Sequence, residues 1–115
     1  MIYLTNGAEL DINGGADVDF TASTTGTYKG VLIYVDRDDS SSHLLNGGSS
    51  MLMTGAVYAP SANIDYNGSN DTAASCVQIV ASQIALSGNS AFSSACASAT
   101  GVDALVTAQK VLLVE

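Results

Sequence analysis

Four side chains that can bind a cation or transfer a proton lie close together, in the segment from Asp36 to His43. Asp36, Asp38 and Asp39 offer hard oxygen ligands, the donor type that Ca²⁺ takes. The glycine and the distant glutamate of an EF-hand loop are missing, so the calcium site is a weak candidate and a solvated insertion loop is the simpler interpretation. We expect no cofactor, with Ca²⁺ at these three aspartates as the alternative.

The residues give little support to an enzymatic role. The chain has one histidine, His43, and no G-x-S-x-G serine for it to activate. Glutamate is nearly absent, and the remaining aspartates share no single position in the repeat described below, as a catalytic row on a β-helix would require. These features predict a non-enzymatic protein. The aspartates compared are Asp17, Asp19, Asp65 and Asp71.

Composition indicates one folded domain and excludes nucleic acid as a partner. The chain has 115 residues, of which 47% are hydrophobic, and a formal net charge of -8. Such hydrophobicity argues against disorder, and the length suits a single domain covering residues 1–115. A phosphate backbone would be repelled by the acidic surface.

A phrase built on an asparagine or serine followed by glycine recurs along the chain. The first copy, "INGGADVDFTA", runs from Ile12 to Ala22, and later anchors follow at intervals of 33, 21 and 20 residues. Apolar residues alternate on both sides of the anchors, as in strands that meet at a glycine corner with one face buried. We expect the anchors to stack as a structural ladder of side chains. They are Asn13, Asn46, Asn67 and Ser87.

Units of about 20 residues cannot bury an apolar face alone, so the copies must stack. Apart from a weak helical pattern over Val102–Lys110, the sequence predicts strands, among them Gly30–Val35, Gly55–Ala59 ending at Pro60, and Cys76–Ala81. Strands in series without crossing helices indicate a coil of strands. We predict an all-β fold, a small right-handed parallel β-helix of about four to five rungs, with a β-sandwich as the alternative.

Two cysteines, Cys76 and Cys96, are 20 residues apart, which is the repeat length. Each follows its anchor by nine residues, at the position that Ala22 and Gly55 hold in the earlier copies. Equivalent positions of neighbouring rungs lie about 4.8 Å apart, within the Cα separation that a disulfide bridges. We predict a Cys76–Cys96 disulfide between the last two rungs, which implies an oxidising compartment.

Four phrases in a fixed order carry a resemblance to a known family. They are "LDINGGADVDFTASTTGTYKGVLIYVDRD" from Leu10, "NGGSSMLMTGAVYAP" from Asn46, "CVQIVASQIALSGNSAFSSAC" from Cys76, and the closing "VLLVE". Together they resemble the C-terminal region of TadG-type proteins of bacterial tight-adherence (Flp) pilus-assembly systems, over nearly the whole chain. The resemblance implies an extracellular or periplasmic, envelope-associated region that follows a membrane anchor in a longer protein. It also implies a disulfide at Cys76 and Cys96 and no catalytic residues.

These observations predict a non-enzymatic structural or adhesive module of a bacterial surface or pilus-assembly protein, excised from a longer membrane-anchored chain. Its expected partners are other pilus or envelope proteins or surface glycans. Two further functions stay open. One is a carbohydrate-binding or degenerate polysaccharide-active β-helix, and the other is a scaffold that self-associates end to end through open strand edges.

Overall fold

The protein forms a curled sheet of parallel strands in the computed structural model, which describes residues 1–13, 15, 17–47, 51–68 and 76–88. Within these residues there are seven strands and no helix, which confirms the prediction of an all-β chain. Every pairing between these strands is parallel, which argues against a sandwich of antiparallel sheets. The strands are β1 (Ile2–Leu4), β2 (Asp11–Ile12), β3 (Val18–Thr21), β4 (Val31–Val35), β5 (Ser42–Asn46), β6 (Met51–Gly68) and β7 (Cys76–Gly88).

The longest strand, β6, connects the others into one sheet. β4 lies between β1 and β6, β5 lies between β2 and β6, and both β3 and β7 pair with β6 directly. The chain therefore returns several times to lie parallel beside its own earlier strands. Ile2 pairs with Ile33 in this way, and Tyr66 pairs with Leu86.

Alternation of side chains along the strands separates an interior from an outer face. In β6 the odd-numbered residues from Met51 to Ala59 are buried and the even-numbered ones are half-buried. The register stacks interior residues of successive strands, so Ile33 lies between Ile2 and Val57. Burying a side chain of this size stabilises a fold by about 1.5–3 kcal/mol. The largest fully buried side chains are Ile33, Val35, Leu45, Met53, Val57 and Ile64.

Gly55 lies where β6 changes partner from β3 to β4. Its φ of 141° is one that other residues rarely adopt. A Cβ atom at this position would stand 2.6 Å from the Ala22 Cβ and 3.1 Å from the Gly30 carbonyl oxygen. The close approach of three chain segments therefore requires glycine at Gly55.

Two details of the strand prediction are wrong. β6 does not end at Pro60 but continues to Gly68, and the register with β7 shifts between Ala59 and Asn63, so the missing N–H of proline falls in an irregular stretch. The polar insertion is shorter than predicted, because Ser42 and His43 belong to β5. His43 joins the strand because its side chain is buried at a position in register with Ile64.

The described residues do not include the helical pattern predicted over Val102–Lys110. They also do not include Cys96, the second cysteine of the predicted disulfide. In the part of the chain that the structure does describe, no helix has the length and apolarity to span a membrane.

Candidate binding face

A row of tyrosine side chains crosses the outer face of the sheet. The register places Tyr3, Tyr34 and Tyr58 side by side on β1, β4 and β6. The ring centroids of Tyr3 and Tyr34 are 5.6 Å apart, and those of Tyr34 and Tyr58 are 5.3 Å apart. Tyr28, in the turn before β4, adds a fourth ring edge-on to Tyr34 at 6.5 Å. These four residues, called the tyrosine strip below, make the offset and edge contacts that aromatic rings favour.

Two of the three basic residues of the chain lie beside the tyrosine strip. The guanidinium carbon of Arg37 is 5.9 Å from the ring centroid of Tyr58, which is a cation–π contact. The electrostatic interaction with Tyr58 raises the pKa of Arg37 above its ordinary value, so its positive charge is permanent. Lys29 is exposed on the turn that carries Tyr28. The part of the tyrosine strip around Tyr28 and Tyr58 is therefore locally basic, although the protein is acidic.

A groove of about 440 Å³ runs along the tyrosine strip, and Lys29 and Arg37 both line it. Next to Tyr58, the small side chain of Ala56 lies between Val31 and Gln78 on the neighbouring strands, which leaves room above it. This volume is within the range of about 300–1,000 Å³ that ligand sites occupy. The Oε1 atom of Gln78 is buried and has no hydrogen-bond partner among the described residues. The groove thus offers aromatic, cationic and polar contacts together.

Asp39, one of the predicted calcium ligands, instead joins two turns. Its side chain is only 5% exposed, so it does not lie in a solvated loop as predicted. Oδ2 accepts a hydrogen bond from the Gly7 N–H at 2.8 Å, and Oδ1 accepts from both the N–H and the hydroxyl of Ser41. These bonds, the Ser41 hydroxyl first, hold the pKa of Asp39 below its ordinary value. The carboxylate therefore fastens the turn after β1 to the turn after β4.

His43 is buried in the same corner, with 2% of its surface exposed. Its Nδ1 accepts a hydrogen bond from the Leu10 N–H at 3.2 Å, which assigns the proton of the neutral ring to Nε2. Nε2 is buried and has no partner in the part of the chain that the structure describes. Burial lowers the pKa of His43 below its ordinary value, so the ring is neutral at pH 7. We call Asp36, Asp39 and His43 the acidic corner.

Asp36, Asp38 and Asp39 line one small cavity together with Thr5, Asn6 and Gly7. Asp36 accepts hydrogen bonds from the Asp38 N–H at 3.1 Å and from the Tyr3 hydroxyl at 2.8 Å, and these bonds, in that order, lower the pKa of Asp36. The same bond to Asp36 raises the pKa of the Tyr3 hydroxyl. No cluster of three or more His, Cys, Asp or Glu side chains suited to a metal ion occurs within the described residues. Calcium at the three aspartates therefore stays a prediction.

The predicted side-chain ladder follows the strand register. The amide nitrogen of Asn46 donates a hydrogen bond to the Asn13 side-chain oxygen at 3.1 Å. Asn46 is in register with Asn67 of β6, and Asn67 is in register with Ser87 of β7. A Cβ atom at Gly47 would overlap the Met51 side chain, so the corner after Asn46 needs glycine. The four anchors thus occupy equivalent places, and the contact between the first two is a hydrogen bond.

Cys76 begins β7 in register with Thr54, not with Gly55 as its spacing predicted. One more residue separates Cys76 from Asn67 than separates Thr54 from Asn46, which shifts the equivalence by one position. Thr54 and Cys76 are both half-buried, whereas Gly55 is buried in the interior. Cys96 lies outside the described residues, so the disulfide stays a prediction.

The sequence interpretation missed the tyrosine strip. Tyr3, Tyr34 and Tyr58 are separated by 31 and 24 residues, which differ from the anchor intervals of 33, 21 and 20. The turn between β4 and β5 explains the difference between 24 and 21, because Tyr34 and Ser42 are eight residues apart and their partners Tyr58 and Asn63 are five apart. The available signal was clustering by residue type, since Tyr28 directly precedes Lys29 and Tyr34 lies three residues before Arg37.

Comparison with known proteins adds no relative. No family model, no curated protein and no solved structure matches the chain. The resemblance to TadG-type proteins therefore stays a prediction, and functional inference rests on the residues of the candidate binding face.

Proposed function

We propose that this protein is a non-enzymatic adhesive module of a bacterial cell surface, which binds glycans through the tyrosine strip. One observation carries the proposal: four of the five tyrosines and two of the three basic residues of the chain meet on one outer face beside a groove. Such convergence is not needed for packing, since Tyr3 and Tyr28 are 51% and 56% exposed.

The chemistry of the tyrosine strip suits a chain of sugar rings. The apolar C–H face of a pyranose packs against an aromatic ring, while the ring hydroxyls bond to tyrosine hydroxyls and other polar groups at its edge. A stable protein interface buries about 800 Å² on each partner. A row one residue wide on three strands is narrow for that purpose, whereas a linear glycan can follow it.

The fold supports a binding role. We infer that the curled sheet is part of a right-handed parallel β-helix, whose packed interior holds the outer columns of side chains at fixed spacing. Asp36 and Asp39 are held by hydrogen bonds from backbone amides and hydroxyl groups, and His43 is buried. Groups engaged in this way support structure and not acid–base catalysis. An envelope location, as the resemblance implies, would bring the tyrosine strip to polysaccharide surfaces.

Binding to polysaccharides tests the proposal. Calorimetry or tyrosine fluorescence with a panel of neutral and acidic oligosaccharides should find at least one ligand with a Kd below about 1 mM. The double variant Tyr34→Leu/Tyr58→Leu should weaken that binding at least about tenfold. The matched control is Asn46→Ser/Asn67→Ser, two outer positions of the ladder. Absence of binding to every oligosaccharide, or equal loss in both double variants, would contradict the proposal.

A further inference from the structure

We infer that the groove beside the tyrosine strip selects glycans that carry carboxylate groups, such as polyuronates. The inference rests on the proposed function and names its ligand class. Three observations support it: the positive charge of the groove, the orientation of the Arg37 guanidinium and the unpartnered side-chain oxygen of Gln78.

Charge in the groove is opposite to the charge of the protein. The chain carries eleven acidic and three basic residues, so a random surface site would be acidic. The described residues that line the groove include Lys29 and Arg37 and no aspartate or glutamate. Asp36 and Asp38, the sequence neighbours of Arg37, line a separate cavity with Asp39. Asp36 contacts the tyrosine strip at the Tyr3 hydroxyl, and Tyr3 does not line the groove. The groove therefore attracts anions, although the protein as a whole repels them.

Arg37 is oriented for a ligand. Its guanidinium lies over the Tyr58 ring, and neither Arg37 nor Lys29 is paired with a carboxylate among the described residues. A planar guanidinium forms two parallel hydrogen bonds with one carboxylate, which makes such pairs stronger and more directional than contacts with neutral hydroxyls. Stacking on Tyr58 restricts the side chain before binding and so reduces the entropy lost on binding.

Gln78 supplies a further contact for a sugar. Its Oε1 lacks a hydrogen-bond partner within the described residues, and an unsatisfied acceptor of this kind is unfavourable. When the Gln78 amide turns toward the groove, a sugar hydroxyl that donates to it while a uronate carboxylate pairs with Arg37 satisfies both groups. A neutral glycan satisfies only the first of them, and a small carboxylate without a sugar ring makes no contact with the tyrosine strip.

A matched pair of ligands tests the inference. The probes are an oligogalacturonate and the same oligosaccharide after reduction of its carboxyl groups, with binding measured by calorimetry at low and at physiological salt. We expect the acidic form to bind at least about tenfold more tightly and to lose affinity as salt increases. If the reduced form binds as tightly, the inference is overturned while the proposed function stands. If neither form nor any other oligosaccharide binds, both fail.

Variants assign the selectivity to the groove. Arg37→Gln and Lys29→Gln should each reduce the preference for the acidic form at least about threefold, because they weaken binding of the acidic form more than binding of the reduced form. Ser40→Asp, at an exposed residue that does not line the groove, changes the net charge equally and should keep the preference. Circular dichroism melting of each variant checks that it is folded. Unchanged preference in Arg37→Gln and Lys29→Gln, or equal loss in Ser40→Asp, overturns the assignment.

Discussion

The acidic corner and the tyrosine strip are neighbours that use their side chains in opposite ways. In the acidic corner, Asp39 accepts three hydrogen bonds from Gly7 and Ser41, and His43 accepts one from Leu10. In the tyrosine strip the rings contact each other while much of their surface stays exposed. The residues with the more reactive groups are thus committed to the fold, and the less reactive aromatic residues are available to a ligand.

The contrast teaches how to separate a structural polar cluster from a binding site. A polar group whose hydrogen bonds are satisfied within the protein gains little from a ligand, since binding would only exchange one partner for another. Exposed aromatic surface beside cations gains contacts and loses water on binding. Whether polar groups already have hydrogen-bond partners within the protein distinguishes a structural cluster from a binding site. The number of charged residues does not.

The largest expected effect tests the structural role of the acidic corner. Asp39→Ala removes the acceptor for two N–H groups and one hydroxyl, and we expect the melting temperature to fall by about 5–10 °C. Glycan affinity at a temperature where the variant is folded should not change. The control is Asp38→Ala, an exposed neighbour with the same loss of charge, whose melting temperature should change by less than about 2 °C. If the two substitutions lower the melting temperature equally, the hydrogen bonds of Asp39 do not have the structural role assigned to them.

A smaller loss of stability is expected at the centre of the tyrosine strip. Tyr34 contacts the rings of Tyr3, Tyr28 and Tyr58, so Tyr34→Leu should lower the free energy of unfolding by about 1–2 kcal/mol. Tyr28→Leu removes a single ring contact and should cost less than half as much. Urea denaturation measures both variants. If Tyr34→Leu is neutral, the rings do not form the stabilised row described here.

The acidic corner should also make stability depend on pH. Burial lowers the pKa of His43 below 6.5 in the folded state, so the unfolded chain binds a proton first as the pH falls. The free energy of unfolding should therefore decrease between pH 7 and about pH 5. Asp36 and Asp39, with lowered pKa values, should add a second decrease only below about pH 4.

His43→Ile isolates the histidine contribution. Ile64 already occupies the position in register with His43, so the substitution suits the interior, although the Leu10 N–H loses its acceptor. The variant should be less stable at pH 7 but show a flat free energy of unfolding between pH 7 and about pH 5, measured by urea titration. If the free energy of unfolding of the variant falls with pH as steeply as that of the unmodified protein, His43 is not the group that causes the pH dependence.

The smallest effect is expected in the asparagine ladder. Asn46→Ser replaces the amide that donates to Asn13 with the residue type that Ser87 supplies in the last copy. We expect a loss of about 0.5–1 kcal/mol in the free energy of unfolding and no change in glycan binding. If Asn46→Ser lowers the free energy of unfolding by more than Tyr34→Leu does, the ladder contributes more to stability than the tyrosine strip, contrary to this prediction.

The all-β class and the register of the anchors could be predicted from the sequence, because they depend on the alternation of apolar residues and on the repeat spacing. Apolar residues at every second position have one stable arrangement, so the all-β class followed directly. The spacing from Asn46 to Asn67 and from Asn67 to Ser87 equals the pairing offset in the structure, because each anchor lies at the end of its strand and pairs with the next anchor.

What the sequence did not predict depends on local register and on turn geometry. The turn between β4 and β5 has three more residues than the matching part of β6, so the anchor spacing did not align Tyr34 with Tyr58. Asp39 looked like a solvated acid because its partners, above all the Gly7 N–H, are 32 residues away in the chain. Cys76 was misplaced by one position because the interval before it is one residue longer.

The continuous strand β6 has a consequence for how the molecule opens. It pairs with β3, β4 and β5 along its length and with β7 as well, whereas β1, β2, β3 and β7 each have one partner among the described strands. Fluctuations should therefore begin at those four strands and stop at β6, whose amide hydrogens exchange with solvent only when the whole sheet comes apart. Because β6 also carries Tyr58, part of the binding face belongs to the slowest-exchanging segment, and ligand capture would not depend on a loop that frays.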